Sequence, residues 1–215
     1  MFKTLREDIH AIMQRDPAAT NAFSVLLLYP GLKAVRSHRR AHWLYNRRFY
    51  FLARYISERC KRKTGIEIHP AAKIGKGLFI DHGSGVVIGE TTVIGDNCTI
   101  YQGVTLGGTG KDKGKRHPTI GDNVTIGSGA KVLGPFSVGD NSKIAANAVV
   151  LSEVPPNSTC VGVPGRIVKR DNKKVEPLCD LDHIHIPDPV AIELCKIIRR
   201  LEALENQKEE DNETL

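Results

Sequence analysis

Cysteine is scarce in this chain of 215 residues, and no two cysteines form a C-x-x-C pair. An odd and scattered set argues against both a disulfide framework and a structural zinc site. We therefore interpret the cysteines as free thiols that act as small buried hydrophobes rather than as reactive nucleophiles. They are Cys60, Cys98, Cys160, Cys179 and Cys195.

A long hydrophobic run is also absent. The longest strongly apolar patch, residues 23–29, is far shorter than the roughly 20 residues that a membrane-spanning helix needs. The first residues, MFKTLREDIH, lack the apolar core of a signal peptide. Hydrophobic residues nevertheless make up 40% of the chain, which is too apolar for a disordered protein. We expect a folded cytoplasmic protein with no membrane partner.

Acidic residues are scarce among residues 1–65, which are strongly basic in a chain of net charge +7. Such a segment can indicate a nucleic-acid partner. An amphipathic helix is the alternative, because an apolar stripe recurs there at spacings of three and four residues. We favour the helix, since no groove-reading motif is present, and expect no nucleic-acid partner. The stripe is Tyr45, Phe49, Leu52 and Ile56, and the solvated face is Arg47, Arg48, Arg54 and Arg59.

What the sequence does contain is an aliphatic residue at every sixth position over much of its length. Period six fits neither the roughly 3.6-residue turn of an α-helix nor the two-residue repeat of an isolated strand. It fits a parallel β-helix in which three hexapeptides form one triangular coil. The repeat runs through Ile68, Ile74, Ile80 and Val86. After a two-residue slip it continues through Ile88, Ile94, Ile100 and Leu106, and after a longer break it restarts with Ile120, Ile126, Val132, Val138, Ile144 and Val150.

Glycine, aspartate and asparagine recur between these positions, as in residues 95–97, 121–123 and 139–141. Glycine and asparagine tolerate the positive φ that the sharp corners of such a coil require. About four to five coils, spaced roughly 4.8 Å like neighbouring strands, predict a prism of the order of 20 Å in height. This hexapeptide form of the β-helix is left-handed, an exception to the usual handedness of parallel crossovers.

The predicted fold class is α+β, in three segments. Residues 1–65 form an N-terminal helical domain, in which Asp16-Pro17 marks the start of a helix. Residues 66–155 form the left-handed β-helix, interrupted at 107–118 by a glycine-rich basic loop that we expect to be functional. Residues 156–215 form a C-terminal extension with a helix at about 189–207 and an acidic tail.

Two stretches of the predicted β-helix carry a resemblance to a known family. They read GIEIHPAAKIGKGLFIDHGSGVVIGET from residue 65 and QGVTLGGTGKDKGKRHPTIGDNVTIGSGAKVLG from residue 102. The combination of IDHG, GGTGK and RHP resembles the serine acetyltransferase family, and the match continues to GVPGRIV. The resemblance implies acetyl transfer from acetyl-CoA to the hydroxyl of L-serine, giving O-acetyl-L-serine and CoA in the first step of cysteine biosynthesis. It implies direct attack in a ternary complex, with acetyl-CoA as co-substrate and no metal.

Acetyl transfer to an alcohol needs a base that removes the hydroxyl proton. His82, within IDHG, matches the family's catalytic histidine. Glu67 stands where the family has an aspartate that orients this imidazole; glutamate keeps the charge but adds a methylene. The structural alternatives are a corner imidazole for His82 and an exposed residue at the domain join for Glu67.

L-Serine carries an ammonium and a carboxylate, so its pocket needs groups of both signs. By resemblance, Asp16 and Asp81 match the positions that face the ammonium. Arg116 and His117 match those that face the carboxylate, for which arginine is well suited. Glu90 matches a further acidic position near the site. Without these roles, Asp16 is an ordinary helix cap, Arg116 a loop cation and Glu90 a solvated corner.

Acetyl-CoA is long and polyanionic, and the resemblance places it in a groove between neighbouring prisms of a homotrimer. Gly108 and Thr109 match backbone contacts near the thioester and the pantetheine. Ser128, Lys143 and Ala146 lie on the face that would carry the rest of the molecule.

Three other functions fit the same fold. One is acetyl transfer to another hydroxyl acceptor, a sugar or an antibiotic. Such an acceptor would not require the pair Asp16 and Asp81 together with the pair Arg116 and His117. A second is a zinc carbonic anhydrase, which needs three histidines across a subunit interface. His69, His82 and His117 exist, but no close histidine pair lies on one coil. The third is a non-enzymatic trimeric scaffold.

A homotrimer is predicted, with a hexamer as the alternative, because hexameric family members have a longer helical region than residues 1–65. A short apolar seam at residues 190–204 either joins three C-terminal helices or packs within one subunit. L-Cysteine is a feedback inhibitor of many family members, and we expect it in the serine pocket. The family docks to cysteine synthase through a C-terminal isoleucine. This sequence has Leu215 in that place, which would have to fill the same apolar pocket.

Overall fold

The N-terminal segment is helical, as the sequence predicts, and it contains four helices. The computed structural model describes residues 2–110, 113–171, 173–174, 197–198 and 200–201. The helices are α1 (Phe2–Arg15), α2 (Ala22–Leu28), α3 (Pro30–Asn46) and α4 (Tyr50–Thr64). Proline fits the first turn of α3, because an N–H at that position would have no helical partner. Gly65 ends α4 in the left-handed conformation, with a φ of 72°.

The turn between α1 and α2 differs from the prediction. Asn21, not Asp16, caps α2, and its side chain accepts a hydrogen bond from the Ser24 N–H at 2.8 Å. Asp16 is already engaged, because Oδ1 accepts the Ala18 N–H at 2.8 Å and Oδ2 accepts the Tyr29 hydroxyl at 2.6 Å. The expected helix start at Asp16 is therefore wrong.

The apolar stripe predicted for one long amphipathic helix is also wrong. Arg48 takes a φ of 66° in the turn after α3, so the stripe is divided between α3 and α4. A right-handed helix cannot continue through a left-handed residue. Phe49 and Leu52 consequently point to solvent, with 54% and 48% of their surface exposed. Tyr45 packs edge-on against Tyr50 at the start of α4.

Beyond the helices, the described chain forms a left-handed parallel β-helix with three faces. Its strands are β1 (Glu67–Ile68), β2 (Lys73–Ile74), β3 (Phe79–Ile80), β4 (Val87–Ile88), β5 (Val93–Ile94), β6 (Thr99–Ile100), β7 (Thr105–Gly107), β8 (Thr119–Ile120), β9 (Thr125–Ile126), β10 (Lys131–Leu133), β11 (Ser137–Val138), β12 (Lys143–Ile144), β13 (Val149–Val150), β14 (Ser158–Val161), β15 (Arg166–Arg170) and β16 (Lys173–Lys174). Face A contains β1, β4, β7, β10 and β13; face B contains β2, β5, β8 and β11; face C contains β3, β6, β9, β12 and β14. The predicted fold class is confirmed.

The six-residue repeat forms the core of the prism. On face A, Ile68 pairs with Ile88 and Ile88 with Leu106, and none of the three is more than 5% exposed. Every predicted repeat position is buried except Ile74, which is half-buried. Burial of one such side chain contributes roughly 1.5–3 kcal/mol, so this inward column is the main source of stability.

Three corners join the faces, and we name each by the faces that it connects. Corner AB contains residues 69–72, 89–92, 108–110, 113–118 and 134–136; corner BC contains 75–78, 95–98, 121–124 and 139–142; corner CA contains 81–86, 101–104, 127–130 and 145–148. The predicted asparagine corners lie at BC, where Asn97, Asn123 and Asn141 have φ values of 57°, 56° and 58°. The basic loop interrupts corner AB between β7 and β8.

The helices close one end of the prism. The Ser57 hydroxyl donates to the Ile68 carbonyl at 2.6 Å, and His42 Nδ1 lies 2.8 Å from the Pro70 carbonyl. A Cβ at Gly31 would overlap the carbonyl of Ile80, so α3 passes directly over face C. These contacts fix α3 and α4 on the first coil of the β-helix.

At the other end, β14 and β15 form an antiparallel pair that the sequence did not predict. Of the helix expected at about 189–207, residues 197–198 and 200–201 are helical. The remainder of that helix, Cys179, Cys195, the acidic tail and Leu215 lie outside the described residues. No helix within the described ranges is long and apolar enough to cross a membrane.

The other three cysteines are free, as predicted. Cys98 and Cys160 are buried, and Cys60 is half-buried. Burial raises the pKa of both the Cys98 and the Cys160 thiol to about 11, which leaves them protonated and unreactive near neutral pH.

Candidate functional site

His82 lies at corner CA with its imidazole in solvent. Its φ is 58°, and its side chain is 75% exposed. The next residue, Gly83, sits so close to Ile66 that a Cβ would overlap that side chain, which fixes the corner backbone. The Nε2 atom of His82 lies 4.0 Å from Oδ1 of Asp81. The structure therefore presents an accessible imidazole on a rigid corner.

Glu67, the predicted partner of His82, has other partners in the described chain. Its carboxylate accepts a hydrogen bond from Lys61 Nζ at 2.5 Å and lies 4.0 Å from Nη2 of Arg54. This bond raises the pKa of Lys61. Glu67 lies at the start of β1, beside corner CA, but its described contacts include no bond to His82.

Asp16 and Asp81 share a neighbour that the sequence did not indicate. The Tyr29 hydroxyl donates to Asp16 Oδ2 at 2.6 Å. The pKa of Tyr29 is raised to about 12, chiefly by that hydrogen bond, with burial and the charges of Asp16 and Asp81 adding to the effect. Two carboxylates therefore lie around one neutral phenol near His82. No motif marks Tyr29, because its role depends on the turn after α1, which places Asp16 beside the residue that follows α2.

Glu90, Arg116 and His117 come together at corner AB. Arg116 Nη2 lies 3.0 Å from Glu90 Oε2, and both side chains are partly exposed. Thr91 follows Glu90, and its hydroxyl oxygen lies 2.9 Å from Nδ1 of His117. His69 lies in the preceding coil of the same corner, and its pKa is lowered by burial, with Glu90 and Arg116 opposing each other. The corner therefore combines one ion pair with two imidazoles whose pKa values are lowered by burial.

The two clusters do not meet within one chain. Asp81 and His82 lie at corner CA, and Asp16, in the turn between α1 and α2, shares the neighbour Tyr29 with Asp81; Arg116 and His117 lie at corner AB. Face A separates the corners, and a six-residue extended segment across it spans up to about 20 Å. No hydrogen bond or ion pair among the described side chains joins the two clusters within one chain.

The residues predicted to hold acetyl-CoA lie in two places. Gly108 and Thr109 are exposed at the start of the loop in corner AB. Ser128 and Ala146 lie at corner CA, two and three coils beyond His82, and Lys143 is exposed on face C beside them. Three coil spacings of roughly 4.8 Å give about 14 Å from the coil of His82 to that of Ala146. Corner CA therefore provides a straight exposed edge that begins at the imidazole.

Backbone hydrogen bonds make this edge rigid. They join successive coils at 2.8 Å each: Gly103 N–H to Ser84 O, Gly129 N–H to Gln102 O and Asn147 N–H to Ser128 O. Among the residues that the structure describes, no group of three or more His, Cys, Asp or Glu side chains could hold a metal ion. His82 lies at a different corner from His69 and His117.

Comparisons with known proteins give the family. The profile described as "Serine acetyltransferase, N-terminal" matches residues 1–37, and that described as "Bacterial transferase hexapeptide (six repeats)" matches residues 117–152. Serine acetyltransferase of Bacillus subtilis is 54% identical over 100% of this chain and 98% of its own length. The Staphylococcus aureus enzyme is 55% identical over 99% of both chains. The chain belongs to the serine acetyltransferase family.

Solved serine acetyltransferase structures share this fold. The enzyme of Brucella abortus in complex with coenzyme A has a TM-score of 0.77 and 49% identity, over 79% of this chain and 68% of that one. The Neisseria gonorrhoeae enzyme in complex with serine has a TM-score of 0.76 and 46% identity, over 78% and 69%. A serine acetyltransferase complex with cysteine has a TM-score of 0.77 and 47% identity, over 79% and 66%.

The family membership establishes the reaction. The protein is an acyltransferase that moves the acetyl group of acetyl-CoA to the hydroxyl of L-serine, as part of cysteine biosynthesis. Acetyl-CoA is its co-substrate. The other predicted functions, transfer to a sugar or antibiotic, a carbonic anhydrase and a scaffold, are set aside.

Proposed function

We propose that the active site of this serine acetyltransferase forms between two subunits of a homotrimer. Corner CA of one subunit would face corner AB of its neighbour. The proposal is supported by the separation of charge within one chain, in which Asp81 lies at one corner with Asp16 near it, and Arg116 lies at another corner. A small zwitterion needs both signs in one pocket, and a neighbouring subunit supplies the missing sign without any movement of either corner.

The serine pocket would use the two clusters for opposite ends of the substrate. Asp16 and Asp81 would receive the ammonium group, and Tyr29 holds Asp16 in place for this purpose. Arg116 of the partner subunit would bind the carboxylate, since a guanidinium suits bidentate contact with carboxylate oxygens. Glu90 lies 3.0 Å from Arg116 and would hold the guanidinium until the substrate binds.

His82 would act as the general base. Its imidazole removes the proton of the serine hydroxyl as the oxygen attacks the thioester carbonyl, so the two substrates react directly. The tetrahedral intermediate then collapses to O-acetyl-L-serine and the CoA thiolate, and the imidazolium returns its proton to that sulfur. Glu67 would orient the ring, which requires its carboxylate to leave Lys61 when the site is complete.

Acetyl-CoA would lie along corner CA in the groove between two prisms. Gly108 and Thr109 would contact the thioester end through their backbone, and Ser128 and Ala146 would line the rest. Lys143, exposed beside this edge, would attract the phosphates. The straight edge from His82 to Ala146 supports this path, because a long ligand needs an extended groove.

The exposure of His82 at a rigid corner is the observation that supports its role as the general base, and His82→Asn tests that role. Asparagine tolerates the positive φ better than alanine, so the corner backbone is kept. We expect turnover to fall roughly 10²–10⁴-fold, the usual contribution of a general base. Glu67→Gln should lose less, because orientation partly survives. Near-normal turnover of a folded His82→Asn protein would show that the imidazole is structural.

We further propose that L-cysteine inhibits by occupying the serine pocket, since it presents the same ammonium and carboxylate. Arg116→Ala should then weaken serine binding and cysteine inhibition together, and inhibition that is noncompetitive with serine would contradict this. A cytoplasmic location is in keeping with the free thiols of the described chain. Docking of Leu215 to cysteine synthase stays a prediction, to be tested by deleting Leu215 and measuring binding.

A further inference from the structure

The hydroxyl of Thr91 lies at the centre of a hydrogen-bond network that closes the basic loop. Thr91 Oγ1 accepts the backbone N–H of Arg116 at 3.0 Å and that of His117 at 3.1 Å. These two bonds occupy both lone pairs of the oxygen, so its single hydrogen is directed elsewhere. His117 Nδ1 lies 2.9 Å from the same oxygen and receives that hydrogen.

The proton of the His117 ring must therefore be on Nε2. The backbone N–H of Thr91 also donates to Nδ1, at 3.2 Å. A nitrogen that faces two donors has to keep its lone pair, so the neutral imidazole carries its hydrogen on Nε2. Protonation of Nδ1 would put three hydrogens against one another.

His117 is buried, with 8% of its surface exposed, and its Nε2 edge lies beside the backbone of Gly89. Nε2 has no hydrogen-bond partner among the described residues, although it is not one of the fully enclosed unpartnered atoms there. A Cβ at Gly89 would overlap the Cδ2–Nε2 edge of the ring, so glycine provides the space in which that edge lies. The ring is thus held by hydrogen bonds at Nδ1, whereas Nε2 keeps an unused hydrogen-bonding position among the described residues.

We propose that Thr91 is a positioning residue that fixes the Nε2–H tautomer of His117 and so presents an N–H donor to an anionic group of the substrate. The identity of that group, the serine carboxylate, rests on the proposed function. The opposite tautomer would direct the Nε2 lone pair at the carboxylate and repel it. An imidazole would otherwise exchange between tautomers in water, so the two donors of Thr91 remove that choice.

The electrostatic surroundings agree with a neutral ring. Burial lowers the pKa of His117, and the neighbouring charges of Arg116 and Lys115 lower it further, while Glu90 acts in the opposite direction. His69 makes a smaller contribution of the same sign as the cations. His117 is consequently a neutral donor at physiological pH, and its usefulness depends on the correct tautomer.

Thr91→Val and Thr91→Ser, in the full-length protein, separate this role from packing. Valine keeps the size but removes the hydroxyl, whereas serine keeps the hydroxyl but loses the methyl. Imidazole ¹⁵N NMR of histidine-labelled protein reports the tautomer without any substrate. We expect wild type and Thr91→Ser to show Nδ1 unprotonated and Nε2 protonated. In Thr91→Val the backbone N–H of residue 91 still faces Nδ1, so the Nε2–H tautomer should stay favoured, but a measurable fraction of the rings should carry the proton on Nδ1.

The wild-type spectrum can overturn the proposal by itself, if it shows the proton on Nδ1. A valine variant with the same tautomer populations as wild type would also overturn it. Steady-state kinetics then test the link to the substrate L-serine. Thr91→Val should raise KM for L-serine about tenfold and leave KM for acetyl-CoA unchanged, whereas Thr91→Ser should keep the wild-type KM. A shifted tautomer with an unchanged serine KM would contradict the placement of His117 in the serine pocket, and not the role of Thr91.

Discussion

Tyr29 and Asp16 form the pair of residues on which serine recognition is expected to depend. Tyr29→Phe removes the 2.6 Å bond that the hydroxyl donates to Asp16 and leaves the ring in place. Because a hydrogen bond to a charged group contributes roughly 1.5–3 kcal/mol, we expect KM for serine to rise about tenfold or more. KM for acetyl-CoA should stay constant. Tyr55→Phe, at an exposed position, is the matched control, and equal effects of the two changes would refute the role of Tyr29.

The same residues show how far sequence reasoning reaches at this scale. His82 and Arg116 stand in motifs, so their types and positions could be predicted. Tyr29 and Thr91 could not, because their roles rest on hydrogen bonds to residues 13 to 26 positions away in the chain. The engagement of Glu67 by Lys61 likewise depends on where α4 ends relative to β1. Such pairings follow from three-dimensional placement and leave no local pattern.

Among the structural elements, the corners of the β-helix have a testable backbone requirement. Asn123 has a φ of 56°, and its side chain donates to Asn141 Oδ1 at 3.2 Å. Asn123→Ala and Asn123→Gly both remove that bond, so the difference between them isolates the backbone cost. We expect alanine to be less stable than glycine by about 1–2 kcal/mol. Thermal unfolding measures this, and equal melting temperatures would show that the corner relaxes.

The β-helix and the helices were not equally predictable. The prism could be predicted almost residue by residue, since every inward position must be aliphatic and each corner needs a residue that tolerates positive φ. The break at Arg48 was missed because arginine gives no sign of a left-handed turn. The antiparallel pair of β14 and β15 was missed for a related reason: its strands follow no six-residue repeat.

For the whole molecule, assembly and activity should be inseparable. If each site takes His82 from one subunit and Arg116 from another, two inactive variants can complement each other. Co-expression of His82→Asn with Arg116→Ala should place intact corners opposite each other in about one quarter of the sites of randomly mixed trimers. Activity at low serine should therefore recover to about one quarter of the wild-type value. No recovery in verified mixed trimers would place the whole site within one chain.

Light scattering gives the matching measurement of size. The proposed homotrimer should have three times the chain mass of 23.7 kDa. A species of twice that trimer mass would indicate that the helical ends pair two trimers.

The covering of both ends of the prism has a consequence for solubility. A stack of parallel strands exposes unpaired backbone groups at its last coil, and such edges recruit further strands into fibres. Here α3 and α4 cover the first coil. Beyond the last coil, Val154 bridges to Val138, β14 pairs with β12, and the Gly162 carbonyl accepts the Val149 N–H at 3.0 Å. A protein that lacks residues 154–170 should therefore form end-to-end polymers while its remaining coils stay folded.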